Sequence, residues 1–249
     1  MSPDAMTTNE GTNAVAARRK LDEFLVDNEE LERLNARLAE FNLFRVLKIE
    51  EAEIRHSNVL AWLLTPGETH GLGANFLRRF LSRLLIENDT IDVNLTPAQV
   101  ELMRFDDVEV LREWQNIDIV ARSRTGSWCL LIENKIRSRE SRSQLSRYMN
   151  LLRNEEPRLE VIPVFLTLEG EDPSQQGQEA GFIALSHVHV LDVAERIVNQ
   201  YRSHIPNAAS VFLDHYLTTL RSLTMQDDEL VELCKTIYRK HRDAVDLIV

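Results

Sequence analysis

Hydrophobic spacing along the chain switches from a helical period to an alternating one and back. Over residues 15–46, Leu21, Phe24, Leu31, Leu34, Leu38 and Phe41 recur at helical spacing, and charged residues fill the other face. That pattern predicts one long helix or two, packed on their own core rather than in a dimer coil. Residues 50–65 predict a second helix, ended near Thr65-Pro66-Gly67, with Val59, Leu60, Leu63 and Leu64 as its buried face. Glu53, His56 and Ser57 fall at i, i+3 and i+4 and share a face. The loop Thr69-His70-Gly71-Leu72-Gly73 leads into a third helix over about 74–88, and a polar stretch near 89–100 follows.

The period then drops to two. Residues 107–114 (DVEVLREW) alternate apolar and polar side chains, and 116–121 and 127–134 complete a three-strand meander. Ser138 or Ser141 can cap a helix running to about 154, with Leu145, Met149 and Leu152 facing inward and Gln144 and Tyr148 one turn apart. The nearly continuous apolar run 159–167 suits a strand buried on both faces. Residues 169–181 read as a flexible loop, and 182–188 as a further strand on which His187 and His189 alternate. Helices follow at about 190–203, 207–223 and 226–247. The resulting division is a disordered tail at 1–14, a helical segment at 15–48, a core at 49–190 and a helical region at 191–249. The ending AVDLIV lacks a cap or polar tail, so this region reads as truncated or as packing its last helix on something.

Residues 116–135 (NIDIVARSRTGSWCLLIENK) carry the chemistry. With Thr125-Gly126 at the turn, counting outward pairs Arg124 with Ser127 and then Asp118 with Glu133, whose Cβ atoms would lie roughly 5 Å apart. Thr is a poor residue for a tight primed turn, and a bulge would shift the pairing by one. Lys135, two residues after Glu133, leaves the strand on the same side. Two carboxylates that close repel unless a divalent cation or a shared proton neutralises them. Asp118 and Glu133, with the carbonyl of Ile132 or Asn134, therefore form a candidate site for Mg²⁺ or Mn²⁺, ions that favour oxygen ligands. Lys135 would orient a water or stabilise developing negative charge. The plainer reading is a strand with two solvent-facing acids and a salt-bridging lysine.

Composition bounds the rest. The 249 residues carry a net charge of −11, which argues against nucleic acid until the distribution is read. Arg122, Arg124, Lys135, Arg137, Arg139, Arg142 and Arg147 cluster in 121–147 against only Glu133 and Glu140. The cluster reads as a basic mouth on an acidic body, or as a solvated arginine-rich face. Cys129 and Cys234 lack zinc-ligand spacing, the N-terminus lacks a signal-peptide pattern, and no run of about 18 apolar residues spans a membrane, so a reducing cytoplasm is the expectation.

Asp118, Glu133-Asn134-Lys135, and Gln144 with Tyr148 resemble the core motif of the PD-(D/E)XK nuclease superfamily, and the QxxxY element is similar to that of its exonuclease-like branch. Ile117 stands where the motif's proline would be. The segment EIRHSNVLAWLLTPGETHGLGANFLRRFL (53–81) resembles bacterial members of poorly defined role, some linked to DNA restriction or phage defence. The resemblance implies an α/β, restriction-endonuclease-like core in the order αβββαβ. A central mixed sheet of four to five strands would be flanked by helices, with extra helices at both ends. It implies a Mg²⁺- or Mn²⁺-dependent phosphodiesterase acting on DNA, with RNA left open and with a homodimer or partner subunit also open. The rival is a nuclease-fold binding or effector module without catalysis, or another metal-dependent hydrolase. Asp118, Glu133, Lys135 and Glu53 would be catalytic, Asp118, Glu133 and the Ile132 carbonyl would hold the metal, and His56, Gln144, Tyr148, Arg137, Arg139 and Arg142 would meet substrate. Gln144 and Tyr148 could equally hold Lys135 and Glu133 in place, His56 could simply pack its helix, and His70 fits a turn-stabilising role better than a phosphate contact.

Overall fold

The computed structural model describes residues 4–26, 28–88, 93–138, 140, 141, 143–224 and 228–248. Its elements begin with α1 (Asp4–Val26), α2 (Glu29–Leu38), α3 (Leu43–Val46), α4 (Glu53–Leu64), α5 (Asn75–Glu87) and α6 (Pro97–Leu102). Three strands follow, β1 (Glu109–Trp114), β2 (Ile117–Ser123) and β3 (Trp128–Asn134), then α7 (Gln144–Glu155) and β4 (Glu160–Thr167). The chain continues through α8 (Gln175–Glu179), β5 (Ile183–Ser186), α9 (His187–Tyr201), α10 (Asn207–Leu223) and α11 (Asp228–Val245). No helix among the described residues is long and apolar enough to cross a membrane.

Two compact units result, Asn42–Thr224 and a helical unit made of Met1–Phe41 with Met225–Val249. In the helical unit α11 packs on α1 and α2, with Lys20 paired to Asp243 at 2.6 Å, Lys240 paired to Glu30, and the Phe24 and His241 rings 5.5 Å apart. This grouping by contacts differs from the division expected from sequence. Residues 191–224 belong with the sheet, and only the last helix joins the N-terminal ones, because apolar faces seek partners by shape and not by order. α1 begins at residue 4, inside the polar start. Adding a residue to an existing helix costs far less than nucleating one, so the helix-forming segment after Val15 propagates backward.

The larger unit is built on a five-stranded sheet in the order β1-β2-β3-β4-β5. β1, β2 and β3 run antiparallel, and β3, β4 and β5 run parallel, so the sheet is mixed. Parallel strands need a crossover, which α7 supplies between β3 and β4. One face packs Ile119, Ala121, Leu130, Ile132 and Val164 against residues of α4, α5, α9 and α10. The other packs Val120, Cys129, Leu131 and Phe165 against Leu145, Tyr148, Met149 and Leu152 of α7. With helices on both faces, β3 and most of β4 are fully buried, which is why their sequences read as unbroken apolar runs.

Local differences from the sequence reading have physical causes. The polar stretch near 89–100 ends in α6, capped reciprocally by Thr96 and Gln99, a Thr-x-x-Gln signature legible in the sequence. Ser174 caps α8 inside the segment expected to be loop. Neither Ser138 nor Ser141 caps α7, because Ser138 Oγ donates to Glu53 and the N-cap is Ser143 in the left-handed region. His187 and His189 lie on α9 and not on a strand, since β5 stops at Ser186.

Leu130→Ala, in the middle of the central strand and fully buried, should lower unfolding free energy by about 2–5 kcal/mol. Leu102→Ala, 87% exposed on α6, should change it by less than about 0.5 kcal/mol. Denaturant titration of both variants reads the contrast, and equal losses would contradict the placement of β3.

Candidate active site

The β2–β3 hairpin has the register counted from the sequence, with Ile119 opposite Ile132 and Ser123 opposite Trp128. Its loop is closed by a hydrogen bond from Ser127 N to Arg124 O, and the positive φ falls on Ser127 and not on Thr125. Asp107 holds the loop from outside, accepting from Ser123 Oγ at 2.8 Å and from Thr125 N at 2.8 Å. That support resolves the difficulty of placing Thr in the turn. At the other end, the β1–β2 turn Gln115-Asn116 has φ of 53° and 67°, the two left-handed positions of a type I′ hairpin.

The ladder stops at Ile119–Ile132, and the next residues outward are Asp118 and Glu133. Asp118 Oδ2 accepts from Asn134 N at 2.8 Å, so its side chain takes over the strand's pairing. Glu133 is 1% exposed, and its Oε1 is 2.7 Å from Lys135 Nζ and accepts from Gln144 Nε2 at 2.7 Å. Among the described residues, Glu133 Oε2 is buried with no hydrogen-bond partner. Burial, then the nearby Asp118 carboxylate, pushes the Glu133 carboxyl up to about 7 against the opposing pull of Lys135. Asp118 is likewise raised, chiefly by burial. Burial works against the charge of Lys135, but the Glu133 carboxylate outweighs it and the ammonium is raised.

Glu53, at the start of α4, does a different job from the one its position suggested. Its Oε1 accepts from the backbone N–H groups of Ile136, Arg137 and Ser138 at 2.9, 3.2 and 2.9 Å, and its Oε2 from Ser138 Oγ at 2.9 Å. Those donors outweigh the burial that opposes its charge, so its carboxyl is held below the ordinary range. The carboxylate thus folds the segment after Lys135 around the end of α4.

The expected substrate contacts divide. His56 is corrected: it is fully buried, its Nε2 is 2.6 Å from Glu50 O, and no phosphate can reach it. Burial also holds its imidazole below the ordinary value. His70 is buried, with Nε2 2.9 Å from Thr65 O and Nδ1 accepting from Leu72 N, and it fixes the loop as expected. Gln144 bridges Glu133 and Tyr148, and Tyr148, 2% exposed, donates to Asn116 O in the turn before Asp118. Both brace the acids, and Tyr148 is too buried to bind substrate. Ile132 lies inside the ladder, between Ile119 and Val164, and not at its open end.

Arg137 is exposed and paired with Glu51 at 2.6 Å, whereas Arg139 and Arg142 lie outside the described residues. The expected basic rim is also corrected at Arg122 and Arg124, which sit toward the turn end of the hairpin. Arg122 is four residues from Asp118, or about 13 Å along the strand. Glu109 and Glu156 neutralise them there.

Sequence reading missed three side-chain roles. Arg112 donates to the carbonyl of Asp118 and, at 2.9 Å, to Asn58 Oδ1, joining β2 to α4. Its signal was a charge at an inward position of an alternating strand. Asn134 points to the opposite sheet face, donating to Ser57 Oγ at 2.9 Å and to Glu53 O at 3.2 Å. His187 Nε2 is 2.7 Å from Asn134 Oδ1, an approach from 53 residues away that nothing local foretells.

The donor set suits a small divalent cation. Two adjacent carboxylates with raised pKa values, one carrying a buried oxygen unpartnered among the described residues, are only partly offset by the Lys135 ammonium. Among the described residues no group of three or more His, Cys, Asp or Glu could hold a metal ion. Such an ion would therefore keep several waters, as Mg²⁺ does.

Glu133 retains its proton in the folded state where the unfolded chain has lost it. Its contribution to stability is complete below about pH 4.5 and falls as the pH rises to about 7. In EDTA, the Tm of Glu133→Gln minus that of wild type should therefore rise across that window and level off above it. A pH-independent difference would remove the case for a strained acid pair.

A model of the PD-(D/E)XK nuclease superfamily matches residues 41–239. Searches of curated proteins and of solved structures each found no significant match. The matched span covers most of the chain and all of the mixed sheet, with its Asp, Glu-x-Lys and Gln-x-x-x-Tyr residues in one place. The chain belongs to the PD-(D/E)XK nuclease superfamily, with that superfamily's restriction-endonuclease-like α/β fold.

Proposed function

We propose that this protein is a Mg²⁺- or Mn²⁺-dependent nuclease that hydrolyses DNA phosphodiester bonds at Asp118, Glu133 and Lys135. The observation that carries the reading is the buried, unpartnered Oε2 of Glu133 beside the Asp118 carboxylate. Asp118 and Glu133 would hold the cation. When bound, it supplies the charge that lets both acids ionise side by side, shields the phosphate and acidifies water. Lys135 sits at the mouth of this pair, 13% exposed, and its ammonium stabilises negative charge developing on a phosphate oxygen. Gln144 fixes the Glu133 rotamer, Tyr148 fixes the turn that presents Asp118, and Glu53 fixes the backbone that follows Lys135. None of these three need touch substrate for turnover to depend on them. The resemblance of residues 53–81 to members linked with restriction or phage defence supports a role in defence or DNA processing.

Asp118→Ala and Glu133→Ala should abolish cleavage of linear and circular DNA with Mg²⁺ or Mn²⁺ while the fold survives. In both, the rise in Tm that the cation gives wild type should disappear, since a ligand that binds only the native state raises its stability. Lys135→Ala should keep or tighten Mn²⁺ binding by calorimetry while turnover falls. Equal Mn²⁺ affinity in wild type and both carboxylate variants would leave the metal site without support.

The nuclease reading also predicts that cleavage tolerates loss of Tyr148's hydroxyl better than loss of Gln144's amide. Tyr148→Phe removes the bond to Asn116 and one of the two acceptors of the Gln144 amide, whereas Gln144→Leu removes the donor to Glu133 itself. Steady-state kinetics should show Gln144→Leu lowering kcat by at least about tenfold, the equivalent of about 1.4 kcal/mol. A larger loss in Tyr148→Phe would reverse the order of importance assigned here.

A further inference from the structure

The exposed face of α4 leads away from the acid pair. Arg55, Asn58 and Trp62 fall at i, i+3 and i+7 and form one stripe. Arg55 and Asn58 are exposed, and the Arg55 guanidinium has no hydrogen bond or ion pair among the described residues. The stripe ends at an open cavity of about 620 Å³ between α4 and the start of α10, walled by Asn58, Trp62, Thr69, Ala208 and Phe212. Trp62 and Phe212 meet edge to face, with ring centroids 5.6 Å apart and planes at 88°, making a right-angled aromatic corner. Trp62 Nε1 donates to Thr69 Oγ1 at 3.2 Å, which fixes the indole.

The cavity is tied to the acid pair. Asn58 Oδ1 accepts from Arg112 Nε at 2.9 Å, and the same guanidinium donates to the Asp118 carbonyl. The nine steps from Glu53 to Trp62 span about 13.5 Å of helix. A flat apolar corner, an exposed cation and a polar amide on one helix, whose first residue Glu53 holds the backbone that follows Lys135, are the parts of a groove that tracks one polynucleotide strand and stacks its bases.

We propose that the Trp62–Phe212 cavity holds an unpaired nucleobase of the strand being cut, and that Arg55 takes a phosphate between that base and the acid pair. The inference rests on the nuclease reading above and names its substrate class: a single-stranded segment or a frayed end. A base in a blunt duplex is stacked and paired and cannot enter. Stacking accepts every base, so the site adds strand selectivity without sequence selectivity. The Asn58 amide nitrogen, on the cavity rim, is placed to donate to the edge of the stacked base.

The test measures binding to labelled oligo(dT), to oligo(rU) and to a blunt duplex of the same length, all in EDTA. Wild type should bind oligo(dT), with quenching of tryptophan fluorescence. Trp62→Ala should weaken that binding about tenfold or more and leave the duplex unaffected. Ala208→Trp fills the cavity from an exposed position without removing packing, and should have the same effect even if Trp62→Ala folds poorly. Arg55→Gln should reduce the salt dependence of binding by about one unit. No oligo(dT) or oligo(rU) binding by wild type, or unchanged affinity in both cavity variants, overturns the proposal. Binding of oligo(rU) alone keeps the cavity and overturns the DNA assignment. A protein that binds oligo(dT) through the cavity but cuts nothing with Mg²⁺ or Mn²⁺ refutes the nuclease reading and leaves the cavity standing. One that cuts linear DNA identically with the cavity filled does the reverse.

Discussion

The larger unit is organised around two acids that face each other where the β2–β3 ladder ends. Burying a carboxylate is costly, and burying two side by side is more so, because each raises the cost of ionising the other. The fold meets that cost only in part. One oxygen of Glu133 receives the Lys135 ammonium and the Gln144 amide, one oxygen of Asp118 receives the Asn134 N–H, and the other Glu133 oxygen receives nothing from the described residues. A site meant only for stability would have replaced the pair with apolar side chains. On the reading proposed above, a bound cation would make up the deficit.

The reverse face of the same strand shows how the deficit is held in place. The Asn134 nitrogen donates to Glu53 O, which can only accept, so the amide orientation is fixed and its oxygen faces His187. His187 must then carry its proton on Nε2 and stay neutral. Its complete burial enforces this by pushing its pKa down to about 3. One side chain thereby joins β3, the first turn of α4 and the first turn of α9. Strand alternation does the rest, sending Glu133 and Lys135 to the α7 side while Asn134 anchors the opposite side.

Charge is distributed for a local purpose. Most described arginines near the hairpin are matched: Arg122 and Arg124 by Glu156, Arg137 by Glu51, and Arg147 lies over the Tyr148 ring at 5.4 Å. With a net charge of −11, the body repels polyanions in general. On the nuclease reading proposed above, contact with a polynucleotide would come from exposed cations such as Arg55 and from apolar stacking. The α4 stripe offers both.

The sequence by itself determined what depends on local periodicity and short-range geometry. The helices, the three-strand meander, the hairpin register and the Asp118–Glu133–Lys135 grouping follow from alternation and a turn a few residues long. So does the bracing character of Gln144, one turn from Tyr148 on a helix that had to lie on that face. What required the tertiary structure are contacts between elements distant in the chain. His56 could not be told from a site histidine until α10 and α9 closed over it, with Tyr216 and His187 rings within 5.7 and 5.9 Å. Glu53 could not be told from a metal ligand until the 136–138 backbone wrapped its carboxylate. The basic cluster looked continuous because sequence distance hides direction: β2 carries Asp118 and Arg122 on one strand but toward opposite ends of it. Periodicity fixes which way a side chain leaves its own element, while its partner depends on packing between elements that no local pattern encodes.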